Sequence, residues 1–93
     1  MKVLVLYHPE SDHGGQVEDF AHEYKRFKGK ELELLSLETV EGAEMAKLYD
    51  VVQYPAVLAV AGDGQLQKLW QGQTLPLMAE IDQYARQDVQ EPL

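Results

Sequence analysis

Tyr54-Pro55 stands directly before an unbroken apolar run, Ala56-Val57-Leu58-Ala59-Val60-Ala61, and this junction restricts the fold more than any other stretch. Proline has no N–H to give to a sheet ladder, so it belongs at a strand's first position. An X-Pro bond reaches the cis form at a cost of only about 0.5–1 kcal/mol, and a fixed cis bond marks a tight turn. Apolar residues without polar alternation predict a strand covered on both faces. Gly62-Asp63-Gly64 then turns the chain, and Leu66 to Gln71 returns as the second arm of a β-hairpin. Alternation places Leu66, Lys68 and Trp70 on one side of that arm and Gln67, Leu69 and Gln71 on the other. Trp70 is read as a core residue, and the glutamines with Lys68 suit an edge strand protected against pairing with other chains.

The first half supplies the rest of an α/β domain. Val3 to Tyr7 is β-branched and aliphatic without alternation, a second strand buried on both faces. It stops at His8-Pro9, and Glu10 to Gly15 forms a polar loop of helix-capping residue types. Val17, Phe20, Ala21, Tyr24 and Phe27 recur at helical spacing, with Glu18, Asp19 and His22 on the opposite face. Lys28-Gly29-Lys30 ends this helix with cations and a left-handed glycine. Glu31 to Leu37 predicts an outer strand parallel to the first. Thr39 caps a short helix through Tyr49, with Ala43, Met45, Ala46, Leu48 and Tyr49 as its apolar contacts and Gly42 weakening its first turn. Asp50, which tolerates left-handed geometry, closes it. Gly72 to Pro76 is a connector, Pro76 suits the first turn of a last helix, and Leu77, Met78, Ile81, Tyr84 and Ala85 form that helix's buried face. The order is βαβαββα, a mixed four-stranded sheet with helices on both faces. Residues 1–87 are expected to form one domain and 88–93 a frayed polar tail.

The stretch Ala43 to Leu58, with Tyr49-Asp50-Val51-Val52-Gln53-Tyr54-Pro55, resembles the helix, turn, cis-proline and strand of the thioredoxin-like family. The glycine hairpin, Gly72 and the amphipathic last helix are similarly placed. The resemblance implies a sheet in the order two, one, three, four, a cis Tyr54-Pro55 bond, and a site where backbone beside the proline receives extended chains. It does not carry over the family's chemistry. The redox pair would fall on Ser11 with Gly14 or on Asp12 with Gly15, and neither pair has a thiol. Val3 to Gly15 also resembles the first strand and phosphate loop of flavodoxin-like proteins, which implies a phosphate or flavin binder. Such a sheet needs five parallel strands, and the C-terminal half is a hairpin.

Composition narrows the chemistry. The 93 residues contain no cysteine, which excludes disulfide exchange, thiolate catalysis and cysteine-ligated metal centres. A formal charge of −8 argues against nucleic acid or an anionic membrane and favours a basic partner. The apolar opening is too short for a signal peptide, and no stretch reaches the length of a membrane span, so a cytoplasmic location is expected. His8, Asp12 and His13 lie at no recognised metal-ligand spacing, and His22 shares the outer helix face with Glu18 as a solvated pair, so no metal or cofactor is expected. Nothing in the loop marks a nucleophile. The Ser11 to Gln16 loop offers hydroxyl and backbone donors to an anion or thiol ligand. Plain N-capping by Ser11 or Asp12 accounts for the same residues without one.

The resulting expectation is a non-redox domain that binds another protein or peptide through Tyr7, His8, Ser11, Asp12, His13, Tyr54 and Pro55. One alternative is an enzyme that uses glutathione or another small thiol, with Ser11 or Tyr7 as the stabilising hydroxyl. Another is a homo-oligomer built on the last strand or the Trp70 face. All of these rest on fold-level analogy.

Overall fold

A computed structural model of the chain describes residues 2–72 and 75–85; the tail expected over 88–93 lies outside them. The two unalternating apolar runs form the middle of the sheet, β1 (Lys2–Tyr7) and β3 (Ala56–Val60), paired antiparallel with Leu4 opposite Leu58. Helix α1 (Gly14–Lys28) carries the chain over to β2 (Glu33–Ser36), which lies parallel to β1. Helix α2 (Val40–Leu48) then leads to β3, the hairpin returns as β4 (Leu66–Gln71), and α3 (Met78–Ala85) closes the fold. The strand order is β2-β1-β3-β4, as the resemblance implies. Because β1·β3 and β3·β4 are antiparallel and the described sheet has four strands, the flavodoxin-like alternative is excluded.

Each central strand buries both faces because each face has its own helices. Val3, Val5, Tyr7, Val57 and Ala59 pack with Val17 and Tyr24 of α1 and Ile81 of α3. Leu4, Leu6, Ala56, Leu58 and Val60 pack on the other side with Ala46 of α2. Alternate residues of a strand point to opposite faces, so two covered faces require an apolar residue at every position. The Tyr54-Pro55 peptide bond at the entrance to β3 is cis. Among the described residues no helix is long and apolar enough to cross a membrane.

Several local readings are corrected by packing. Helix α1 begins at Gly14, inside the expected loop; His13 is its N-cap, and no side chain caps it. The Ser11 hydroxyl instead donates to the His8 carbonyl at 2.7 Å, so capping by Ser11 or Asp12 does not occur. Phe27 is 66% exposed, and Leu48 and Leu77 are 70% and 71% exposed, outside the apolar faces predicted for them. Ala43 is exposed as well. Pro76 precedes α3, whose first turn is tied instead by the Leu77 N–H donating to Glu80 Oε1 at 3.1 Å. A register shift at Ala59/Val60 pairs Val60 with Leu66, which moves Leu66 away from Trp70 and onto the α2 side with Leu69. Trp70 packs on the α1/α3 side, edge-on to Tyr84 with centroids 5.5 Å apart. Other signals hold as read: Gly29 is left-handed at φ 73°, Asp50 at φ 56°, and the Thr39 hydroxyl accepts from the Gly42 N–H at 3.0 Å.

Tyr24 fills the space between α1 and the sheet, and its hydroxyl is buried without a hydrogen bond of ordinary geometry. Burial, and then the nearby Asp82 carboxylate, push its pKa from 10.0 up to about 12. The folded state therefore holds this proton more tightly than the unfolded chain. Its contribution to stability is complete below pH 10.0 and is lost as the pH rises towards about 12. Urea denaturation across that window is expected to show a steeper decline for the natural chain than for Tyr24→Phe. Equal slopes would place the hydroxyl in contact with solvent.

Candidate functional site

The sheet register itself assembles the site. Leu6 of β1 lies opposite Ala56 of β3 in an antiparallel pair, so the chain leaving β1 at Tyr7 and His8 passes beside the chain entering β3 at Tyr54 and Pro55. The His8 ring meets the Tyr54 ring edge to face, with centroids 5.5 Å apart at 81°. The His8 N–H donates to His13 Nε2 at 3.1 Å, closing the loop on itself. The Ser11 hydroxyl and Ser11 N–H both donate to the His8 carbonyl.

On the other side, the Tyr54 segment is braced from the edge strand. Gln71 Oε1 of β4 accepts from the N–H groups of Val52 and Gln53, both at 3.2 Å. The Gly72 N–H donates to the Pro55 carbonyl, and the Tyr54 hydroxyl donates to the Val51 carbonyl at 2.9 Å. The main-chain N–H and C=O of Tyr54 have no hydrogen-bond partner among the described residues.

Between these walls lies a cleft of about 360 Å³ lined by Asp12, His13, Gln16, Tyr54 and Pro55. Four of the seven residues named from sequence thus line one cleft, and His8 joins them by its contact with Tyr54. Tyr7 and Ser11 do not line it. Tyr7 is buried beneath, its hydroxyl donating to Glu18 Oε2 at 3.2 Å. Glu18 and His22 both lie exposed on α1, as read. Gln16, at the end of the loop read as a possible ligand site, lines the cleft from the first turn of α1. Nothing in the sequence marks Gln71 as a brace.

Burial, and then the neighbouring His8, lower the His13 pKa below 6.5, with Asp12 opposing. A neutral imidazole can accept the His8 N–H, and a protonated one cannot. Since the folded pKa is the lower one, stability from this group is present above pH 6.5 and lost as the pH falls through the His13 titration. Urea midpoints measured down this range are expected to fall less for His13→Gln than for the natural chain. Burial, and then the Glu18 carboxylate, raise the Tyr7 pKa above 10.0, so this phenol stays protonated. The Ser11 hydroxyl is spent on the His8 carbonyl. Among the described residues, no group of three or more His, Asp or Glu side chains could hold a metal ion.

No protein-family model matches the sequence, and no curated protein matches it. Among solved structures the chain is similar to thioredoxin 1 from the thermophilic eubacterium Thermosipho africanus, with a TM-score of 0.63 and 10% identity over 96% of this chain and 94% of that one. A likeness at this identity concerns the path of the backbone. With its strand order, helix placement and cysteine-free sequence, the chain has a thioredoxin-like fold without the redox cysteines.

Proposed function

We propose that this chain is a non-redox binding domain that receives an extended segment of another protein at the cleft beside Tyr54-Pro55. The observation that carries the reading is the main chain of Tyr54, whose donor and acceptor both lack partners among the described residues at the edge of an open cleft. An extended peptide satisfies such a pair by β-type hydrogen bonding, and side chains on either side then fill the cleft. Asp12 in the cleft and the net charge of −8 favour a basic segment. Disulfide exchange is closed to a chain without cysteine. The small-thiol alternative loses support. A thiolate near Tyr7 would face the Glu18 carboxylate, and the Ser11 hydroxyl already donates to His8.

Amide NMR titration of the labelled chain tests the reading, using an extended lysine-containing peptide and its glutamate counterpart. Saturable shifts are expected for the lysine peptide at His8, Asp12, His13, Gln16, Tyr54 and Ala56. Tyr54→Ala is expected to weaken binding by about tenfold, the scale of one buried aromatic anchor. Absence of shifts at millimolar peptide overturns the proposal, and shifts produced by reduced glutathione alone would replace it with the thiol-ligand reading.

A further inference from the structure

At the end of the sheet remote from Tyr54, where Lys2 lies opposite Val60, α2 leaves apolar surface uncovered. Two adjoining clefts of about 250 and 270 Å³ open beside this helix. Leu35, Met45 and Leu48 form the apolar part of the first, and Leu4, Tyr49 and Val60 line the second, with Met45 and Lys2 common to both. The Tyr49 hydroxyl donates to the Gly64 carbonyl at 2.6 Å, which holds the far wall against the hairpin turn. Leu48 stands 70% exposed at the mouth of the first cleft, so the strip is not closed by the chain's own described residues.

The rim is predominantly acidic. Glu41 and Glu44 line the first cleft and form no ion pair among the described residues, while Glu33 is paired with Lys2 at 3.5 Å in an exposed contact. Among the described residues Lys2 is the single cation lining either cleft, against three carboxylates. A second copy of the chain carries the same net charge of −8, which disfavours self-association.

We infer that this groove docks a segment of a partner protein that carries two apolar side chains, one for each cleft, flanked by lysine or arginine. The apolar pair supplies anchors at the centre of the contact, and the carboxylate rim steers and orients the cationic flanks. The surface is separate from the Tyr54 cleft, so the two can be occupied and tested independently.

The test is an amide NMR titration of the full labelled chain with a short synthetic peptide whose leucines recur three and four residues apart among lysines, with a shuffled peptide of the same composition as reference. Saturable shifts are expected at Leu35, Glu44, Met45, Leu48 and Gly64, weakening as salt is raised. Leu48→Ser and Glu44→Lys, both at exposed positions, are expected to retain the native spectrum and each to weaken binding by about fivefold or more. Equal binding of the shuffled peptide, shifts centred on Tyr54 instead, or no shifts at millimolar peptide would each overturn the inference. So would shifts that follow protein concentration without peptide, since they would make a second copy the occupant.

Discussion

Gly42→Ala is expected to lower stability by about 2–4 kcal/mol, the cost of forcing an atom into a packed site, although helix propensity alone predicts a gain of about 1 kcal/mol. Gly42 is buried in the first turn of α2 where that turn crosses the end of β2. A Cβ there would run into the Ser36 carbonyl and lie 3.2 Å from the Leu37 Cα. The obstacle is main chain, and it cannot retreat freely. The Ser36 carbonyl accepts from both the Thr39 hydroxyl at 2.7 Å and the Thr39 N–H at 3.1 Å, and Ser36 Oγ accepts from the Glu38 N–H. Moving it would undo the cap that starts the helix. Gly15, in the first turn of α1, is the matched comparison: a Cβ there meets nothing within 4 Å. Gly15→Ala is therefore expected to raise stability by up to about 1 kcal/mol. Urea denaturation of the two variants should move their midpoints in opposite directions. If both rise, the contact between α2 and the end of β2 is looser than described.

Leu58→Ala should be at least as damaging, costing about 3–4 kcal/mol in a domain whose whole stability is expected to be about 5–14 kcal/mol. Leu58 is fully buried in β3, opposite Leu4 on β1 and Leu69 on β4, under the α2 layer. Three hydrogen-bonded strands surround the vacated volume, so it cannot collapse and the cavity term adds to the lost transfer energy. At about 4–8 °C per kcal/mol for a domain of this size, the melting temperature should drop by more than about 10 °C. Leu48→Ala, the same chemical change at an exposed position, should alter stability by no more than about 0.5 kcal/mol. Comparable losses at both sites would mean that α2 packs differently from the arrangement described.

The leucine pair also shows where pattern reading stops. Periodicity assigned Leu48 to the inner face of α2, Phe27 to that of α1 and Leu77 to that of α3, and all three are exposed. Phe27 and Leu48 sit in the last turns of their helices and Leu77 precedes the first residue of α3, and a periodic pattern carries no information about where the covering layer ends. The site was legible to a similar depth. Tyr54, Pro55, Asp12 and His13 were marked by their types and by the resemblance, and they do line one cleft. Tyr7 and Ser11 were marked in the same way. Their hydroxyls are instead spent on Glu18 and His8, partners that sequence distance does not disclose.

What the sequence by itself determined is whatever local chemistry controls: the βαβαββα order, two central strands buried on both faces, the left-handed ends at Gly29 and Asp50, the Thr39 cap, and the absence of thiol chemistry. These follow from backbone preferences, side-chain period and composition, which act over a few residues. The tertiary structure alone decided the rest. It set the early start of α1 that brings Gln16 to the cleft, the register shift that moves Leu66 across the sheet, the Gln71 brace on Val52 and Gln53, and the close approach that makes Gly42 obligatory. Each of these is a distance between elements far apart in the chain, set by how whole layers settle against one another, and no local preference encodes it.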